Sequence, residues 1–174
     1  MAKNNKNILY QEVQHFRQIW LWIIILAISV FAIYGMIQQL ILGKPLGDHP
    51  VSDAVLLIIV VVFGFALPIF CYIMKLVTEV RKDGLYVCFF PFHLSFHKIP
   101  LENLNSYEAL TYSAFKEYGG WGIRYGSKGK AYNVSGNRGV QLELSNGDRI
   151  LIGSRKAEEL AQAIALAISD IHVM

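Results

Sequence analysis

The sequence predicts a transmembrane α-hairpin carrying one α+β domain, an antiparallel β-barrel or sandwich of about seven strands with a single C-terminal helix. Three observations lead there. Two long apolar runs precede residue 76, short strand patterns divided by turn signals follow it, and a helical stripe ends the chain.

Composition agrees with a membrane segment joined to a soluble unit. Hydrophobic residues make up 54% and charged residues 17%, against about 45–50% and 25% in soluble domains. The apolar excess lies before residue 80. A net charge of +3 does not by itself imply a nucleic-acid partner. Cys71 sits in an apolar run and Cys88 in a strand pattern, which is no disulfide framework. Both read as small buried hydrophobes.

Ile19–Ile37 is interrupted only by Ser29, Tyr34 and Gly35, and Ala54–Met74 carries no charge. A helix needs about 20 apolar residues to cross a bilayer, and both runs qualify. Neither has the polar face of a buried soluble helix. The first run exceeds a signal-peptide core of about 7–15 residues and lacks a following A-x-A-like site, so cleavage is not expected. Gly43, Pro45, Gly47 and Pro50 make a tight turn between the runs. Pro68 should kink the second helix. Trp20, Trp22 and Tyr72 fall near one membrane face, where aromatic residues anchor. Lys3, Lys6 and Arg17 precede the hairpin and Lys75, Arg81 and Lys82 follow it, whereas its loop holds only Lys44. Positive residues stay inside, so both termini are expected in the cytoplasm. The chain divides into a cytoplasmic N-terminal segment (1–18), a first transmembrane helix (19–42), an extracytoplasmic turn (43–53), a second helix (54–75) and a cytoplasmic domain (76–174).

In that domain Leu76–Arg81 is rich in β-branched residues, Asp83-Gly84 signals a hairpin, and Leu85–Phe90 is the returning strand. His93–Ile99 reads as the next strand, bounded by Pro91 and Pro100, and Asn103–Tyr112 as a weaker one. Trp121, Ile123 and Tyr125 alternate with Gly122 and Arg124 at strand period. Ala131–Val134 is short. Val140, Leu142 and Leu144 lead through Asn146-Gly147 into Arg149–Ile152. Leu160, Ile164, Ile168 and Ile171 then form one helical stripe. Glu158 and Glu159 suit its first turn, and Ser154 its N-cap.

Few residues point to chemistry. His93 and His97 would share a helix face, but on a strand they stand about 13 Å apart, too far for one metal. His15, His49 and His172 are isolated. The glycines of residues 119–139 lack the GxxxxGK[ST] pattern of a phosphate loop and read as turns and bulges. No nucleophile elbow, paired carboxylates or Cys/His cluster appears, so no enzyme, cofactor or metal is expected. Asn133-Val-Ser135 is a glycosylation sequon that a cytoplasmic domain would not use. Between Lys116 and Lys156 eight basic residues (Lys116, Arg124, Lys128, Lys130, Arg138, Arg149, Arg155, Lys156) face three acids (Glu117, Glu143, Asp148). Trp121, Arg124, Lys128, Lys130 and Arg138 are the candidate binding residues, suited to anionic lipid headgroups beside the membrane.

The strand order with one final helix resembles the pleckstrin-homology fold. More narrowly, the chain is similar to bacterial PH-like domain proteins with two N-terminal membrane helices. The resemblance rests on Thr78-Glu-Val-Arg-Lys-Asp-Gly-Leu85, Ile99-Pro100 with Leu104, Gly122-Ile-Arg124, Gly139-Val140, and Asn146-Gly147 leading to Ile152-Gly-Ser154 and Glu158-Glu-Leu160. It covers about residues 76–170 plus the hairpin and supplies no catalytic residues. It implies a membrane-anchored, non-enzymatic module that binds a protein or lipid headgroup. The alternatives are an assembly factor whose hairpin packs on other membrane proteins, as in a family of photosystem assembly proteins of similar layout, and an enzyme with an unrecognised site.

Overall fold

The computed structural model describes residues 8–44, 47 and 50–173, with side chains through residue 170. Lys3, Lys6, Pro45, His49 and the side chains of Ile171 and His172 lie outside the described residues. The chain forms two units. One is Phe16–Met74; the other joins the chain up to His15 with Lys75–Met174.

The first unit is a pair of helices, α1 (Ile19–Ile41) and α2 (Asp53–Ile73), each long and apolar enough to cross a membrane. Only 17% and 22% of their apolar windows are buried, unlike the helices of a soluble core. Ser29 Oγ donates to the Ile25 and Phe63 carbonyls, both at 2.9 Å, and so ties α1 to α2. Such a bond satisfies the hydroxyl within the helical pair, among apolar neighbours. The turn before Pro68 widens into a π-helical stretch, Val60–Ala66. Proline has no N–H to donate, and a local π adjustment absorbs the break.

Among its described residues the second unit holds nine strands. β1 (Ile8–His15), β2 (Lys75–Arg81), β3 (Gly84–Phe90) and β4 (His97–Ile99) form one antiparallel sheet in sequence order. β5 (Leu104–Thr111), β6 (Gly122–Gly126), β7 (Gly129–Asn133), β8 (Arg138–Leu144) and β9 (Arg149–Gly153) form a second, ordered β5-β8-β9-β7-β6. The two sheets do not close into a barrel. Nor are all pairs antiparallel. β9 returns from its hairpin with β8 and wedges beside β7, which it meets in parallel.

The core is built from alternate residues. Leu76 and Val80 of β2, Leu85, Val87 and Phe89 of β3, and Tyr132, Val140, Leu142 and Ile152 of the second sheet are all nearly inaccessible to solvent. The final helix α4 (Ala157–Val173) packs against β1 and β2 as well as β5 and β8. Its stripe is Leu160 and Ile164, with Ala157, Ala163 and Ala167 letting it approach closely.

The structure adds to or departs from the sequence reading at three places. Within the expected N-terminal segment 1–18, residues 8–15 form β1, paired along β2 from Ile8↔Arg81 to His15↔Lys75. The strand expected over His93–Ile99 covers only His97–Ile99, because Pro91 cannot extend the ladder and the chain turns through residues 91–96. His93 is therefore off the strand on which its spacing from His97 was reckoned. A short helix, α3 (Ala114–Tyr118), also stands before β6.

Candidate interaction site

Four of the five candidate residues gather around α3 and the β6–β7 hairpin. Helix α3 begins where the Ser113 side chain accepts the Lys116 N–H, and ends at Gly119 in the left-handed region at φ 73°. It lies tight on the hairpin, because a Cβ on Gly126 would overlap the Glu117 carbonyl. Beneath it Tyr112, Ala114, Tyr118, Ala131 and Leu151 form a small core, with Leu110 and Trp121 packed against it. The Tyr118 hydroxyl donates to Gln141 Oε1 at 3.0 Å.

Above this core is an aromatic ledge. The rings of Phe115 and Trp121 meet edge to face at 4.9 Å. Trp121 Nε1 donates to the Gly136 carbonyl and Arg124 Nε to the Trp121 carbonyl at 2.9 Å. Phe115 is 62% and Tyr125 75% exposed. β6 is an edge strand, paired on one side only, by β7.

Strand alternation splits the basic residues. Ile123↔Tyr132 and Tyr125↔Lys130 lie on one face of the hairpin, Arg124↔Ala131 on the other. Arg124 thus stands with Trp121 on the α3 side. The Lys130 ammonium lies 5.5 Å over the Tyr125 ring and 4.7 Å over that of Tyr132. Burial works against that ammonium, but its contacts with the two tyrosines more than offset it, and its pKa rises. Across the two sheets the His93 ring meets Tyr132 edge to face at 5.7 Å. Burial pushes the His93 pKa down, helped by the charges of Lys130 and His97.

Charge is also cancelled locally. Lys128 pairs with Glu117 at 3.1 Å, Arg149 with Glu143 at 3.6 Å and Lys156 with Glu159 at 2.9 Å. Arg138 pairs with Glu158 of α4, away from the hairpin. Four of the eight basic residues thus sit beside a carboxylate, and Arg124 and Lys130 lie on opposite faces of the hairpin.

Two partners were missed by sequence reasoning. Glu117 and Glu158 neutralise residues read as available for anions. Ser113 and Gly119 bracket α3 as its caps, and that signal was present in the sequence. Among the described residues, no group of three or more His, Cys, Asp or Glu side chains is placed to hold a metal.

Residues 1–171 match the model of a family described as a family of unknown function (DUF6141). The chain belongs to that family. Searches of curated proteins and of solved structures returned no match. The family match spans both the helical pair and the sheets, so the two units are one family architecture rather than a chance fusion.

Proposed function

We propose that the protein is a membrane-anchored, non-enzymatic binding module. Its PH-like sandwich stands on the cytoplasmic side and offers the α3–β6 ledge to a protein partner. The observation that carries this reading is the grouping of exposed Phe115 with Trp121 and Arg124 on the α3 side of an edge strand, with Tyr125 exposed on the strand's other face. Aromatic residues and arginine are the types that dominate protein interfaces and their hot spots. The PH-like assignment is supported by the strand order and the single closing helix. The cytoplasmic assignment is supported by Arg17, Lys75, Arg81 and Lys82 beside the spans, against Lys44 in the hairpin loop.

A lipid headgroup is the lesser reading of this ledge, because Lys128 and Arg138 are already paired with carboxylates. A role in assembling membrane complexes is favoured by one observation in the hairpin. A cavity of about 360 Å³ between the helices is lined by Phe31, Gly35, Leu56 and Phe63 among others, and it suits a side chain of a third helix.

The test is crosslinking and capture from native membranes with lipids retained. A partner recovered with the wild-type chain should be lost from a Phe115→Ser/Tyr125→Ser variant that keeps its melting temperature. An identical partner set from both chains would sink the ledge as the site.

A further inference from the structure

The connection between β3 and β4 carries the most exposed large apolar side chain described: Leu94 at 88%, with Phe92 beside it at 61%. The loop is not slack. His93 N–H donates to the Phe89 carbonyl at 2.8 Å, and Phe89 N–H donates to His93 Nδ1 at 3.4 Å. Cys88 Sγ donates to the His93 carbonyl at 3.2 Å. At its far end Phe96 meets the Tyr86 ring at 6.3 Å and the Arg81 guanidinium at 5.2 Å. The fold therefore holds Leu94 out in solvent rather than leaving it there by chance.

Register says which end of the sheet this is. His15 pairs with Lys75, and Lys75 with Phe90. The loop thus begins at the end where the chain leaves β1 and enters β2. Along the chain that end is joined to the two apolar helices: α1 starts at Ile19, and only Met74 separates α2 from β2. The adjoining helical turns carry Trp20 and Tyr72, 49% and 73% exposed, residue types that settle at headgroup level. Lys75 follows Tyr72 by three residues, its ammonium 5.9 Å from the Phe90 ring centroid.

We infer that residues 91–96 form a second, peripheral membrane contact, with Leu94 and Phe92 seated among the headgroups and upper acyl carbons of the bilayer that the helices cross. Continuity fixes the occupant. The chain enters the bilayer three residues from Phe90's cross-strand partner, so lipid is the apolar phase nearest the loop. The contact needs the helices to cross the bilayer but not the partner proposed for the ledge.

The test uses the full chain reconstituted alone into phosphatidylcholine–phosphatidylglycerol bilayers, where no partner protein is present. A photoreactive p-benzoylphenylalanine is placed at position 94 or, for comparison, at position 82 in the β2–β3 turn, roughly 20 Å away along strands that rise about 3.3 Å per residue. Irradiation should give a phospholipid mass adduct on the peptide containing position 94, at least ten times the yield at position 82. Equal yields, adducts only to protein, or no adduct at either position would overturn the inference.

Discussion

Glu12 in the first strand accepts a hydrogen bond from Ser154 Oγ at 2.6 Å, across 142 residues of sequence. The same carboxylate takes the Tyr10 hydroxyl at 2.9 Å and the Arg155 N–H at 3.1 Å, while Ser154 Oγ accepts the Lys156 N–H at 3.0 Å. The turn that opens α4 is therefore capped by β1, at the helix end where a negative charge is favoured. Glu12→Ala should lower stability by about 1–3 kcal/mol, the usual cost of orphaning charge-assisted bonds of this kind. Thermal unfolding of the full chain in detergent measures it. A double-mutant cycle with Ser154→Ala should show that the two losses are not additive.

Because His15 and Lys75 are paired neighbours, a short two-residue turn can join them directly. A chain in which such a turn replaces residues 16–74 should be a soluble, cooperatively folding domain. The piece 76–174 alone, which lacks β1 and Glu12, should be poorly soluble and melt broadly. Calorimetry of the two distinguishes them, and equal cooperative transitions would show that β1 is dispensable.

Gly129 has φ 103°, and a Cβ there would run into the Arg149 carbonyl of β9. Both the backbone conformation and the space exclude a side chain. Gly129→Ala should cost at least about 2 kcal/mol, read as a lower urea midpoint with an unchanged slope.

Burial pushes the Tyr112 hydroxyl up to about 12 from its ordinary 10.0. The folded state holds this proton more tightly than the unfolded chain, so the benefit is complete below pH 10. It is lost as pH rises towards 12. Two units correspond to about 2–3 kcal/mol. Tyr112→Phe should flatten the alkaline limb of the stability profile between pH 10 and 12.

The orientation of the spans is checked by impermeant maleimide labelling in a Cys71→Ala/Cys88→Ala background. Ser52→Cys in the hairpin loop should react in intact cells, and Asn146→Cys in the sandwich only after permeabilisation. The reverse pattern would invert the assignment.

The parts of the fold legible in the sequence were those with a one-sided apolar period. The two helices were legible instead from unbroken apolar length, while β3, β8 and the Leu160–Ile164 stripe sort hydrophobic from polar residues, and their burial follows that sorting. β1 does the opposite. It turns Tyr10, Glu12 and Gln14 inward to hydrogen-bond with Ser154 and Gly153, and leaves Leu9 and Val13 outside. A strand that buries its polar side chains has no apolar signature to read. The candidate site was legible as a place but not as a charge. Trp121 and Arg124 come together although strand alternation would part them, because Gly122 takes φ 120° between them, and the acids beside Lys128 and Arg138 come from separate helices, α3 and α4. The turn residues of the first hairpin are Lys82 and Asp83, one position ahead of the Asp-Gly signal. Gly84 instead opens β3, where a Cβ would sit 2.8 Å from Lys98.

The split of one sheet between residues 8–15 and 75–81, with Phe16–Met74 intervening, sets an order of events during synthesis. β1 leaves the ribosome long before its ladder partner exists. On the membrane-anchored reading proposed above, it waits for its partner while both helices are threaded into the bilayer. Had only one helix been inserted, the two strands would emerge on opposite sides and never meet. Completion of the β1–β2 ladder, and with it the capping of α4 by Glu12, is thus a record that integration went correctly. A wrongly threaded chain would keep an open strand edge and an uncapped helix, the features that mark a protein for removal.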